Sequence, residues 1–220
     1  MARTTIKIDP ITPLIGAEIH GVDLSRKIDE ETYTVIRQAL LDYLVIILPD
    51  QQIKPEQQLA FARHFGEVEP PHPFFDAVEG HPEITVIETG GEESLPYNDE
   101  WHTDVTFRAQ PPMASILHAR TLPTIGGDTL WANMYAAYDA LSSPIRDLIN
   151  SMTAIHDYYR AFGDIVLEGP GGLEKLLDDM RKLPPVQHPV VRTHPETRRK
   201  SLFVNRGFTR RINGLTMVES

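Results

Sequence analysis

Apolar positions fall first at helical spacing and then in short runs. Tyr33, Ile36, Leu40 and Tyr43 share one helical face, and Asp29 stands where an N-cap belongs. "LVIIL" (44–48) has the β-branched density of a buried strand. "KPEQQLAFARHFG" then predicts a second helix, with Pro55 in its first turn and Gly66 at its C-terminal end. "EITVIET" (83–89), "ASILHA" (114–119) and "DTLWA" (128–132) read as strands, the last two joined by the turn "LPTIGG". A helix is expected over 134–141, and another from "SSPIRDLI", with Ser143 as cap and Pro144 in the first turn. "TAIHDY" reads as a strand. "FGDIVLEGPGG" reads as a Gly-rich excursion, the best candidate for a mobile loop or lid, leading into a short helix over 173–182. "HPVVRTHPETRRKSLFVN" gives two strands around a polar turn, with the basic "ETRRK" as a solvated hairpin tip.

Strands with interspersed helices, but no regular βαβ alternation, predict an α+β or mainly β architecture. The 18 prolines and 14 glycines suit many turns between short strands. The 220 residues fit one domain, 1–220, without an internal repeat or interdomain linker. The last stretch, "RINGLTMVES", adds no closing helix or strand, so the domain reads as C-terminally incomplete.

Composition narrows the classes. Hydrophobic residues at 41% and charged residues at 24% are ordinary for a globular protein. No run of about 18 apolar residues could span a membrane, and "MARTTIKIDP" lacks the apolar core of a secretory leader. The absence of cysteine excludes disulfides, thiolate metal sites and a cysteine nucleophile. These features point to a cytoplasmic protein. A net charge of −10 argues against a nucleic-acid partner, although a few local donors would still suffice for a small anion.

The chemistry concentrates in "YNDEWHTDVTF" (97–107). On a strand, residues i and i+2 share a face, so His102 and Asp104 would project together. An imidazole nitrogen and a carboxylate oxygen side by side can take two adjacent positions on a metal. A second histidine would complete the facial triad of non-haem Fe(II). Zinc usually takes more nitrogen or sulfur ligands, and Mg²⁺ or Ca²⁺ prefer oxygen. His-X-Asp alone equally fits two polar residues on the wet face of a sheet.

The surrounding blocks separate these readings. "WHTDVTF", "PPMASILHA", "GGDTLWAN", "AAYDALS", "HPVVRTHPETR" and "LFVNRGFT" follow one another in an order that resembles the taurine dioxygenase family, from "ITPLIGAEIHGVDLS" to the last residues. The resemblance implies a double-stranded β-helix (jelly-roll) core with flanking helices, here without its C-terminal strands. It implies Fe(II), the cosubstrate 2-oxoglutarate and O₂. His102 and Asp104 match the first two metal ligands, and Thr129 matches a threonine that holds the distal carboxylate of 2-oxoglutarate. His72 and Asn98 match polar contacts to the substrate, and Phe162 and Phe208 match aromatic walls. The third ligand histidine, and the arginine that pairs with 2-oxoglutarate, are expected beyond Ser220. Of the later histidines His156, His188 and His194, none is taken as the missing ligand: "HPVVRTHP" matches a family segment that carries no metal ligand, and His188 and His194 are expected to be structural hairpin residues.

The implied reaction hydroxylates the carbon next to sulfur of taurine or a related sulfonate and releases sulfite and an aldehyde. Phe75 stands where taurine-using members have tyrosine, and Ala161 where serine is usual. Those changes make an alkyl sulfate an alternative substrate. A reading of another class is a truncated, catalytically silent protein that binds an anion or a partner. A third, a metal-dependent hydrolase using His102 and Asp104, lacks a general base. Family members commonly form dimers or tetramers, which implies a homo-oligomer.

Overall fold

The computed structural model describes residues 5–73, 75–88 and 100–220, which fall into two compact units. The first comprises residues up to 69 together with 113–136, and the second comprises 70–112 and 137–220.

In the first unit, β1 (Lys7–Pro10) pairs antiparallel with β2 (Ala17–His20), and β2 pairs parallel with the two-residue β3 (Ile46–Ile47). Helix α1 (Glu30–Tyr43) starts where expected, because the Asp29 carboxylate accepts the Thr32 N–H at 2.9 Å. Glu30 and Glu31 in its first turn suit the positive end of the helix dipole. Ile36 and Ala39 are buried with Ile19, Leu24, Ile53 and Phe61, and Tyr33 and Tyr43 pack against that cluster. Helix α2 (Pro55–Ala62) begins at its proline but ends before Gly66.

The two strands expected at 114–119 and 128–132 do not form. Neither segment has a ladder partner among the described residues, and Leu117, Leu130 and Trp131 stand exposed. Alternating apolar residues make a strand only where a neighbour accepts its hydrogen bonds.

Helix α3 (Met134–Asp139) carries the chain from the first unit to the second, where α4 (Ser143–Ile149) follows. Ser142, not Ser143, occupies the α4 cap, and Pro144 sits in the first turn as predicted. The central sheet of the second unit is β10–β6–β7, built from Thr209–Ile212, Thr153–His156 and Val186–Pro189. Two hairpin-like pairs accompany it: β4 (Ala77–Val78) with β5 (His81–Thr85), and β8 (Val191–Thr193) with β9 (Lys200–Leu202).

The segment expected as a lid is helical instead. Tyr158, Phe162 and Val166, spaced by four residues, form the buried face of α5 (Tyr158–Glu168), whose N-cap is Asp157. After Gly169–Gly171 the chain re-enters a helix, α6 (Gly172–Lys182). Gly171 carries φ +85°, which a side chain would strain, so the glycines make a tight α5–α6 corner.

The architecture is α+β. Among the described residues the strands form small separate sheets and no closed barrel, so the expected jelly roll is not visible as a continuous ladder. No helix among them is long and apolar enough to cross a membrane.

Candidate active site

The stretch around His102 is not the predicted strand. Residues 101–103 are irregular and 104–107 form a turn, closed by the Arg108 N–H donating to the Val105 carbonyl at 3.0 Å. Val105 adopts φ 45°, unusual for a β-branched residue, and this bend presents the two polar side chains together. Thr106 and Phe107, next along the turn, are almost fully buried and anchor it.

His102 Nε2 lies 3.2 Å from Asp104 Oδ1. His102 Nδ1 donates to the Glu100 carbonyl at 2.8 Å, which fixes the ring and leaves Nε2 as the outward nitrogen. Hydrogen bonding to Asp104, with that to Glu100, raises the His102 pKa despite partial burial. Two donors each about 2.1 Å from a metal and at a right angle stand about 3 Å apart. The observed separation therefore fits two neighbouring coordination positions, and both side chains remain half-exposed to a ligand. Among the described residues, no three His, Asp or Glu side chains gather into a complete metal site.

Three of the predicted substrate residues meet beside this pair. The His72 ring lies 5.5 Å from the Phe162 ring, Phe162 lies 6.1 Å from Phe208, and Phe208 lies 6.5 Å from His102. Phe75 and Phe107 complete the group: Phe75 is 4.8 Å from His72 and 6.0 Å from Phe162, and Phe107 is 5.2 Å from Phe208. Burial, reinforced by the Arg108 charge, pulls the His72 pKa down to about 4, so the ring is neutral near pH 7. Its Nδ1 accepts the Phe75 N–H at 3.3 Å. A neutral ring accepting at Nδ1 carries its proton on Nε2, and that N–H is a hydrogen-bond donor.

The remaining expectations divide. Thr129 lies in the first unit, exposed on the irregular stretch 128–132. Asn98 lies outside the described residues. His188 is buried in β7 and donates from Nε2 to the Thr106 and Arg108 carbonyls, both at 2.9 Å. His194 Nδ1 accepts the Glu196 and Thr197 N–H groups, shaping the turn between β8 and β9. His156 is fully buried, and its pKa is lowered to about 4 by burial and by His188. Sequence patterns missed Lys175. From α6 its ammonium bridges the Pro73 carbonyl at 3.2 Å and the buried Asp179 carboxylate at 2.8 Å. The partners of Lys175 are 102 and 4 residues away, so only the second has a helical-spacing signal.

The family model described as "Taurine catabolism dioxygenase TauD, TfdA family" matches residues 7–220, and the chain belongs to that family. It is thus an α-ketoglutarate-dependent dioxygenase of the taurine dioxygenase-like type. A Pseudomonas putida "Alpha-ketoglutarate-dependent sulfate ester dioxygenase" is 35% identical, over 98% of this chain and 71% of that protein. An Acinetobacter baylyi "Alkylsulfatase" is 34% identical over 98% of this chain and 67% of that protein. The crystal structure of a taurine dioxygenase from Burkholderia xenovorans superposes with a TM-score of 0.78 at 39% identity. It covers 98% of this chain and 68% of that one.

Proposed function

We propose that this chain oxidises a small organosulfur oxyanion, a sulfonate or a sulfate ester, at the carbon next to the sulfur-bearing group, using Fe(II), 2-oxoglutarate and O₂. The observation that carries this reading is the 3.2 Å His102–Asp104 pair opening beside the ring cluster of His72, Phe162 and Phe208.

His102 Nε2 and Asp104 Oδ1 would hold the iron. The bound metal and its cosubstrate supply the oxidising power for C–H hydroxylation. Thr129 would offer its hydroxyl to the distal carboxylate of 2-oxoglutarate. The residues of the second unit do the positioning. Neutral His72 donates from Nε2 to a sulfonate or sulfate oxygen, with Asn98 as a second donor. Phe162 and Phe208 exclude water and hold the organic part against the metal side. Hydroxylation next to a sulfonate releases sulfite and an aldehyde, and next to a sulfate ester it releases sulfate and an aldehyde. The family's jelly-roll core, cytoplasmic location and homo-oligomeric assembly belong to the same reading.

Taurine is the first sulfonate to consider. A second reading, an alkyl sulfate, is favoured by Phe75, which puts a bare ring against both His72 and Phe162. An alkyl chain suits that wall better than an ammonium group that must keep its hydration. The test supplies Fe(II), ascorbate and 2-oxoglutarate with either taurine or hexyl sulfate, and follows succinate, sulfite and sulfate. Sulfite from taurine supports the first reading and sulfate from hexyl sulfate the second. Succinate that fails to rise with either substrate class would overturn both.

A further inference from the structure

Behind the His102–Asp104 pair lies a buried polar network centred on Thr106, a residue with 0% exposure. Thr106 Oγ1 accepts the Asn205 Nδ2–H at 3.3 Å and lies 2.9 Å from His156 Nδ1. On the far side of the His156 ring, Nε2 is 3.4 Å from Thr209 Oγ1. A neutral imidazole offers one donor and one acceptor, which the two threonine hydroxyls on either side can match. The Thr106 carbonyl is held separately, by His188 Nε2 at 2.9 Å. One buried residue thereby ties the turn 104–107 to β6, β7 and the segment before β10.

Asn205 has a second task. Its Oδ1 accepts the Phe208 N–H at 2.8 Å, and its own N–H donates to Thr209 Oγ1 at 3.0 Å. The amide orientation is therefore fixed: oxygen toward Phe208, nitrogen toward Thr106. Phe208 in turn faces both the His102 ring and the Phe107 ring. A single side chain links the backbone of a substrate-wall residue to the turn that carries Asp104.

We propose that Thr106 and Asn205 are positioning residues that couple the metal-holding pair to the substrate wall, with His156 and His188 as the buried frame that keeps them in register. The proposal rests on His102 and Asp104 being metal ligands. Outer partners that orient ligands affect metal affinity by about 10–100-fold where they bond the ligand directly. Thr106 acts two residues from Asp104 and through the turn, so about tenfold is expected.

The test is Co(II) binding to the full chain, followed by visible absorption without turnover. Thr106→Val removes the hydroxyl at nearly constant shape and should weaken the dissociation constant about tenfold, and Thr106→Ser should restore it. Asn205→Leu removes both the donor to Thr106 and the acceptor for Phe208, and should weaken binding similarly. The double variant should be no worse than the worse single one, because both break the same link. Thermal melts show which variants fold. If Thr106→Val does not, the Asn205→Leu arm decides. Dissociation constants within twofold of the unaltered chain, with His102→Ala abolishing binding, would overturn the coupling and leave the metal site standing. Absence of Co(II) binding by the unaltered chain would overturn the metal reading and the coupling with it.

Discussion

Gly207 backs onto His102 so closely that a Cβ placed on the glycine would sit 3.3 Å from the His102 Cβ and 3.5 Å from Asn205 Oδ1. Packed carbon atoms prefer about 3.5–4.0 Å, so the missing side chain is a spatial requirement of the site. Gly207→Ala should displace His102 by a few tenths of an ångström and weaken Co(II) binding several-fold while the chain still folds. A dissociation constant equal to that of the unaltered chain would show that His102 has room to spare.

His156 makes stability depend on pH. Its ring is fully buried and faces His188 from β7 at 5.1 Å between centroids, Thr106 from the turn, Thr209 from β10 and the Phe203 ring. The next residue, Asp157, is paired with Arg210 at 3.2 Å. With a folded pKa of about 4 against about 6.5 unfolded, the unfolded chain binds more protons between those values. Stability should therefore fall as pH drops from about 6.5 to 4, by on the order of 3 kcal/mol from this group, and the group adds no further loss below that range. Urea titrations at several pH values should show this slope flattened in His156→Asn. An unchanged slope would refute the assignment.

Lys175 fastens α6 to the strand of chain that carries His72, through Pro73 and the buried Asp179. Lys175→Met keeps the aliphatic stem but leaves the Asp179 carboxylate with the Tyr158 hydroxyl, 3.4 Å away. Losing one partner of a fully buried pair typically costs about 3–5 kcal/mol. Lys175 is 38% exposed, so about 1–2 kcal/mol is expected by chemical denaturation. A change below about 0.3 kcal/mol would mean that the bridge is ornamental.

Phe162 touches the rings of His72, Phe75, Phe107, Tyr158 and Phe208. Phe162→Ala should cost about 3–5 kcal/mol of stability. Phe162→Leu, a milder change, should raise the KM for the organosulfur substrate while leaving the KM for 2-oxoglutarate nearly fixed. Equal increases in both would place Phe162 outside the substrate wall.

What the sequence disclosed depended on how local the cause was. Asp29 and Pro55 mark helix starts correctly because a cap and a first-turn proline act within one turn. Tyr158, Phe162 and Val166 carried the same helical signal, but Gly163 and the Gly169–Gly172 region outweighed it and suggested a loop. Segments 114–119 and 128–132 alternate like strands, yet pairing is a long-range event that alternation cannot supply. His102 and Asp104 were found together for an incomplete reason. A strand would have put them on one face, whereas the turn at Val105 achieves the same juxtaposition. Thr106 left no signal at all, since a buried threonine and an exposed one look identical in a polar stretch.

The turn that carries His102 and Asp104 has a consequence for how a metal would be captured. Both donors leave one three-residue stretch, so an ion caught by either finds the other already 3.2 Å from the first. The second bond is then intramolecular and forms at a high local concentration of donor. The pair would then behave as a chelate rather than as two independent ligands. His102→Ala and Asp104→Ala should accordingly produce nearly the same defect, because removing either one abolishes the chelation they share.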